Sequence, residues 1–297
     1  MVFRLEAGES IAAGLGRVAT GEIQGALTAL LSEVDPEAGV LEARKSFKKV
    51  RAILRLSRES LERPRYLSGN RRYRDLGRRL ATQRAAVARF ETLERLAGDP
   101  GGVVPDRVLQ AARRRLATRR RRHDDAARRA KVAEALSAEG WALDSISLDE
   151  GFETVRSGLA RTYGKGRKQM WRTIEAPSAE AFHEWRKQVK YLWYQVRLFR
   201  NAWPETLDSL ADELHRLSRQ LGTAHDLDLL ETALREEAGI DPHFDPSPLF
   251  VRLDAIRTAE RDAALERGRR LYAEDAEGFG KRIEEYWRAW HESEAVA

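Results

Sequence analysis

An 18-residue segment occurs twice in this 297-residue chain, and that repeat limits the folds open to it more than any other feature. Residues 41–58 read LEARKSFKKVRAILRLSR and residues 183–200 read HEWRKQVKYLWYQVRLFR, an offset of 142 with seven of the 18 positions identical. The shared residues are Glu42/Glu184, Arg44/Arg186, Lys45/Lys187, Lys48/Lys190, Arg55/Arg197, Leu56/Leu198 and Arg58/Arg200. Downstream, Glu91-Thr92-Leu93 answers Glu231-Thr232-Ala233-Leu234 at an offset of 140, which implies a small indel between the copies. Two related halves follow, 1–140 and 141–297, each read as a four-helix unit, the second carrying the C-terminal helices. Their boundary is expected near 140–148.

The halves are helical by pattern. Strand signals are nearly missing, although an average composition gives about one-fifth strand. Helix-period stretches are read near 9–32, 42–61, 70–97, 106–138, 149–175, 179–202, 205–238, 248–274 and 278–293. Asp35-Pro36, the 98–102 cluster and the stretch from Asp241-Pro242 to Pro248 read as turns or loops. Ser147 with Glu150 forms a capping box, Ser178 suits an N-cap, and Pro248 suits a first helical position. Long helices on short connections predict antiparallel bundles, so the fold class is all-α: two pseudo-symmetric four-helix bundles with a basic groove or pore between them.

Composition removes other classes. Hydrophobic residues make up 42% of the chain, enough for a core and too many for general disorder. No apolar run approaches the roughly 18 residues of a membrane span, and the charged start (Arg4, Glu6) does not suit a secretory leader, so a cytoplasmic protein without a membrane partner is expected. With no cysteine there is no disulfide framework, no Cys-based zinc site and no thiol nucleophile. The net charge of +6 hides an asymmetry: residues 1–140 hold 30 Lys+Arg against 18 Asp+Glu, and the remainder 23 against 29.

The repeated helix concentrates the cations. In the second copy Trp185, Val189, Leu192, Val196, Phe199 and Trp203 recur at steps of three and four and form an apolar seam. Beside it run His183, Arg186, Lys190, Arg197 and Arg200. In the first copy Ala43, Phe47, Val50, Leu54 and Leu61 face inward, and Arg44, Lys48, Arg51, Arg55 and Arg58 line the neighbouring stripe. Like charges at helical spacing repel. One reading is that these side chains snorkel from the edge of the apolar face into water. For a stripe that occurs twice at matching positions, an extended polyanion between the helices is the simpler explanation. Arg78 and its neighbours load the next helix, and residues 107–122 contain eight Arg and no acid, with Arg115, Arg119 and Arg122 on one face. Arginine's planar fork suits bidentate binding of phosphate oxygens.

The opening Phe3-Arg4-Leu5-Glu6-Ala7-Gly8-Glu9-Ser10, the paired basic helices and the segment Leu221-Gly222-Thr223-Ala224-His225-Asp226-Leu227-Asp228-Leu229-Leu230 resemble a CHAD domain, the conserved-histidine α-helical domain, over nearly the whole chain. The resemblance implies two pseudo-symmetric four-helix bundles whose basic helices line a cavity or pore. It also implies binding of inorganic polyphosphate without a catalytic activity. Carried over, the contacts would be Arg44, Lys45, Lys48, Arg51 and Arg55 in the first half and His183, Arg186, Lys187, Lys190 and Arg197 in the second. Arg58, Arg78, Arg115, Arg119, Arg122, Arg200 and His225 are added as further polyphosphate contacts. The chain departs from the family pattern at three places. Leu41 stands where the family places a first-half His, the first-half counterpart of the Asp226/Asp228 pair, around Ala85–Ala88, has only Ala and Val residues, and Trp193 replaces the cation that Arg51 supplies. Binding is therefore expected to be lopsided.

His225 and Asp228 share a helical face while Asp226 points elsewhere, so a structural or anion-facing role is favoured over metal ligation. His183, among cations, should gain its proton when a phosphate arrives. No catalytic residue, metal or cofactor is expected. Gly164-Lys165-Gly166-Arg167 is too short for a P-loop, and the 292–296 segment lacks the Lys of the ExExK motif carried by the CYTH domains often fused to this family. The expected function is a polyphosphate-binding module that targets granules or regulates the polymer. Nucleic acid is the competing polyanion, with Tyr191, Trp193 and Tyr194 as the candidate stacking platforms.

Overall fold

The structure is a computed structural model that describes residues 3–98, 104–122, 126–137 and 151–296. Among these residues it is built of α-helices without strands. The helices are α1 (Ile11–Leu31), α2 (Pro36–Leu56), α3 (Arg63–Arg79), α4 (Ala81–Ala97), α5 (Asp106–Arg122), α6 (Ala126–Ser137), α7 (Glu153–Glu175), α8 (Ala179–Leu198), α9 (Pro204–Ile240), α10 (Ser247–Leu271) and α11 (Ala276–Val296), with a 3₁₀ turn at Arg200–Ala202.

Local chemistry sets the helix starts. The Ser10 and Ser178 hydroxyls accept from the N–H groups of Ala13 and Ala181 at 3.2 and 3.1 Å, satisfying donors that the first turn leaves open. The basic helix α2 begins at Pro36, earlier than the periodicity of 42–61 predicts. Asp35 accepts from Ala38 N at 2.9 Å and Pro36 occupies the first turn, so the dipeptide read as a turn is a helix start. The helix predicted over 70–97 is two helices. Leu80, at φ −90° and ψ 1°, ends α3, and the chain leaves one hydrophobic cluster for another. Of the helix predicted over 106–138, the described parts are α5 and α6; residues 123–125 and 138 lie outside the described residues. The Ser147/Glu150 capping box and the predicted half boundary lie outside the described residues.

Burial of the periodic apolar positions produces two clusters. The larger takes Leu15 and Val18 of α1, Phe47 and Leu54 of α2, Tyr73 of α3, Leu136 of α6, Leu159 of α7, Trp185 and Val189 of α8, Leu214 of α9 and Ile283 of α11. The smaller joins Leu93 and Leu96 of α4, Leu109 and Leu116 of α5, Leu230 and Leu234 of α9, and Leu249 and Leu253 of α10. Both draw residues from either side of position 140. Helix α9, 37 residues long and so about 55 Å at 1.5 Å per residue, serves both clusters.

Close helix crossings position the basic stripes. The fully buried Gln195 of α8 donates to Ala52 O of α2 at 3.0 Å, so the two repeated helices meet directly. At the C-terminal end of α2, a Cβ at Gly158 of α7 would collide with the Leu56 carbonyl, which is why α7 needs glycine there. The N-terminal segment straps the end of α8: Leu5 N donates to Leu198 O and Asn201 Nδ2 donates to Leu5 O, both at 2.8 Å. The apolar seams form as expected with one exception. Trp203 is 46% exposed, because α8 ends at Leu198 and Trp203 precedes Pro204, where its ring meets the edge of Tyr286 at 4.8 Å.

Candidate functional site

Because α2 and α8 cross with their stripes facing the same space, their cations converge on one cavity of about 480 Å³. Arg44, Lys48, Arg51 and Arg55 line it from α2, His183, Arg186, Lys187 and Lys190 from α8, Arg78 from α3, and His225 from α9. Ten of the sequence-expected contacts are thus brought together. Sequence reasoning missed Gln188 of α8 and Tyr73 and Gly77 of α3, which also face the cavity, as do Arg74, read only as one of the cations loading its helix, and Tyr191 and Tyr194, read only as stacking platforms. The Tyr73/Gly77 spacing on α3 was a usable signal, since it puts both residues on one helical face.

The other expected contacts stand elsewhere. Lys45 is paired with Glu42 at 2.6 Å on the exposed side of α2. Arg58 follows α2, with its guanidinium 5.3 Å from the Tyr66 ring centroid. Arg115 is paired with Asp241 and lies 4.3 Å from the Phe244 ring, in the smaller cluster. Arg197 packs against Phe3 and Trp193, and Arg200 pairs with Asp208 at 2.7 Å. The side chains of Arg119 and Arg122 lie outside the described residues.

Many cations of the molecule have carboxylates: Arg17 with Glu9, Lys49 with Glu22, Arg113 with Glu94, Arg257 with Asp228 and Glu231 and, in the cavity itself, Lys187 with Glu184 and Arg74 with Asp75. In the cavity, Arg51, Arg55, Arg186 and Lys190 have no carboxylate within ion-pair distance among the described residues, and their positions are fixed by neutral groups. Arg51 Nε donates to Asn70 Oδ1 at 3.0 Å, and Arg55 lies 4.3 Å from the Tyr191 ring. Lys190 lies 5.4 Å from the Trp193 ring. Arg186 Nε is buried without a hydrogen-bond partner, and Gly222 of α9 makes room for its guanidinium: a Cβ there would stand 3.2 Å from Nη2.

Crowded cations out of water resist charging. Burial, then Arg186 and Lys45, lowers the Lys190 ammonium from 10.5 to about 8. Burial lowers Arg186, and burial with Arg55 and Arg74 lowers Arg51. The His183 and His225 rings lie 4.2 Å apart at 35°. Burial, then His183, Arg186 and Lys48, pushes His225 down to about 3, while burial, Lys187 and Arg186 lower His183. The surroundings of both rings disfavour the protonated form.

The acidic residues of α9 require a correction. Asp228, expected to share a face with His225, pairs with Arg257 and Arg261 of α10. Asp226, expected to point away, is the carboxylate whose field reaches Arg186 and Lys190, and it lies 3.9 Å from Arg95. Among the described residues no group of three or more His, Asp or Glu is placed to hold a metal. The aromatic candidates for stacking are covered. Tyr191 faces Arg51 and Arg55, and Trp193 lies parallel to His215 at 4.7 Å with Arg197 5.0 Å from its ring. No described helix is long and apolar enough to cross a membrane.

Comparison with known proteins adds two findings. The CHAD domain family model matches residues 17–235. A crystal structure of the CHAD domain from the plant Ricinus communis superposes with a TM-score of 0.64 at 18% identity, covering 92% of this chain and 95% of that one. No match is found among curated proteins.

Proposed function

The chain belongs to the CHAD domain family, and from that premise and the chemistry of the cavity we propose that it binds inorganic polyphosphate without turning it over. The observation that carries this reading is the set of Arg51, Arg55, Arg186 and Lys190, held close together in a partly desolvated cavity without carboxylate partners. Like charges so placed raise the free energy of the empty protein, and a chain of phosphates relieves it. Each charge-assisted hydrogen bond then contributes on the order of 1.5–3 kcal/mol, less where water competes. Lys48, Arg44, Lys187 and Arg78 widen the contact, and His183 and His225 accept protons as negative charge enters. Asp226 acts on the second-half cations Arg186 and Lys190 through its field, which leaves the first half to dominate attraction.

Polyphosphate is favoured over nucleic acid because the rings nearest the cations are already covered by Arg, Lys or His. A single strand would look for open aromatic faces there. The protein's role in this reading is that of a cytoplasmic module that targets polyphosphate granules or regulates the polymer. Titration calorimetry with long-chain polyphosphate, duplex DNA and single-stranded RNA at equal phosphate concentration and physiological salt tests it. Polyphosphate should bind tightest, and no phosphate should be released over hours. Nucleic acid binding as tightly as polyphosphate would overturn the specificity, and phosphate release would show that the protein turns the polymer over.

A further inference from the structure

A second group of cations lies outside the cavity, on α7. Arg161 and Lys165 stand one helical turn apart there, where like charges destabilise a helix. Gly158 brings α7 against the end of α2, so that Arg161 Nη2 donates to Arg55 O at 3.3 Å and Arg55 and Arg58 act electrostatically on both α7 cations. Arg55 is therefore shared, lining the cavity with its guanidinium over Tyr191 while its backbone touches the second group. One acid, Glu59, serves this group through Arg161. Arg58 and Lys165 have no carboxylate within ion-pair distance among the described residues. The dipole at the α2 C-terminus accounts for a cation such as Arg58. It does not account for Arg161 and Lys165, which lie in the middle of α7.

We propose that the anion path leaves the cavity past Tyr191 and Arg55 and continues onto α7, where Arg58, Arg161 and Lys165 form a second subsite for the phosphates of a chain too long for the cavity. The subsite makes the protein sensitive to chain length: a short oligophosphate fills the cavity alone, and a long chain engages both. The inference rests on the polyphosphate reading above.

The test compares tripolyphosphate with long-chain polyphosphate on the full chain and on two variants of the exposed Lys165. In Lys165→Glu the affinity for the long chain should fall about fivefold, the scale of an exposed charge contact. Affinity for tripolyphosphate should stay within about twofold. In Lys165→Ala the slope of log affinity against log salt should drop by about one for the long chain alone, by analogy with counterion release from nucleic acid. Equal loss for both probes, or no loss for either, would overturn the second subsite while leaving cavity binding intact. If the unaltered protein binds neither probe, the polyphosphate reading itself falls and the subsite with it.

Discussion

Lys190 reports the state of the cavity through its proton. Its ammonium is lowered from 10.5 to about 8 in the empty protein, so between those values the folded chain binds fewer protons than the unfolded one. Stability of the empty protein therefore rises as pH rises across that window, and is lower below it. A bound polyanion returns the proton, so affinity for polyphosphate should fall as pH rises through the same window. Denaturant titrations with and without polyphosphate check both slopes, and Lys190→Met should remove the stability slope. At the acidic end, His183 has the same sign: its lowered value recovers when phosphate arrives, so affinity should rise below about pH 7, near the free imidazole range. An unchanged pH dependence of binding in His183→Ala would refute that role. The periodic spacing of 41–58 and 183–200 made most of these cavity residues legible. It could not separate Arg186 from Arg197, because Arg197 is drawn to the Phe3 ring by a strap that reaches α8 from the other end of the chain. Arg115 and Arg200 were misleading for the same reason, since their acids Asp241 and Asp208 come together with them only in the fold.

At the scale of elements, close approaches of three helices place the basic groups of the cavity and of the α7 subsite. Gln195 ties α8 to α2 and Gly158 lets α7 lie on the end of α2. Gly158→Ala forces a methyl group into the Leu56 carbonyl and should destabilise the protein by about 1–3 kcal/mol, as overpacking does. It should also weaken long-chain polyphosphate binding, because α7 must move away. Thermal unfolding and calorimetry on that variant read the two effects. The long helices were legible from apolar periodicity, but their interruptions were not. The 70–97 stretch keeps a helical pattern through Leu80, and what ends α3 there is the need for α4 to reach the smaller cluster with α5, α9 and α10. The early start of α2 was written in Asp35-Pro36, a pair that serves turns and helix starts alike.

Over the whole molecule, charge is sorted by partner rather than by half. The acids of the second half largely neutralise its own outer helices: Glu213 pairs with Arg267, Asp228 with Arg257 and Arg261, and Glu274 with Arg282. Helix α8 is left with cations directed at the cavity, opposite those of α2. The same sorting means that attraction to a polyanion comes from the cavity and its surroundings, and should weaken steeply with salt. The central claim is that the carboxylate-free cations of the cavity bind polyphosphate, and Arg186 is the deepest test of it. Long-chain polyphosphate titrated into the unaltered protein and into Arg186→Gln at physiological salt, with helix content followed by circular dichroism, decides the matter most directly. The account predicts binding by the unaltered protein and at least about a tenfold loss in the variant, the scale of one charge-assisted hydrogen bond, with helix content unchanged. A folded Arg186→Gln variant that binds polyphosphate as tightly as the unaltered protein would contradict it.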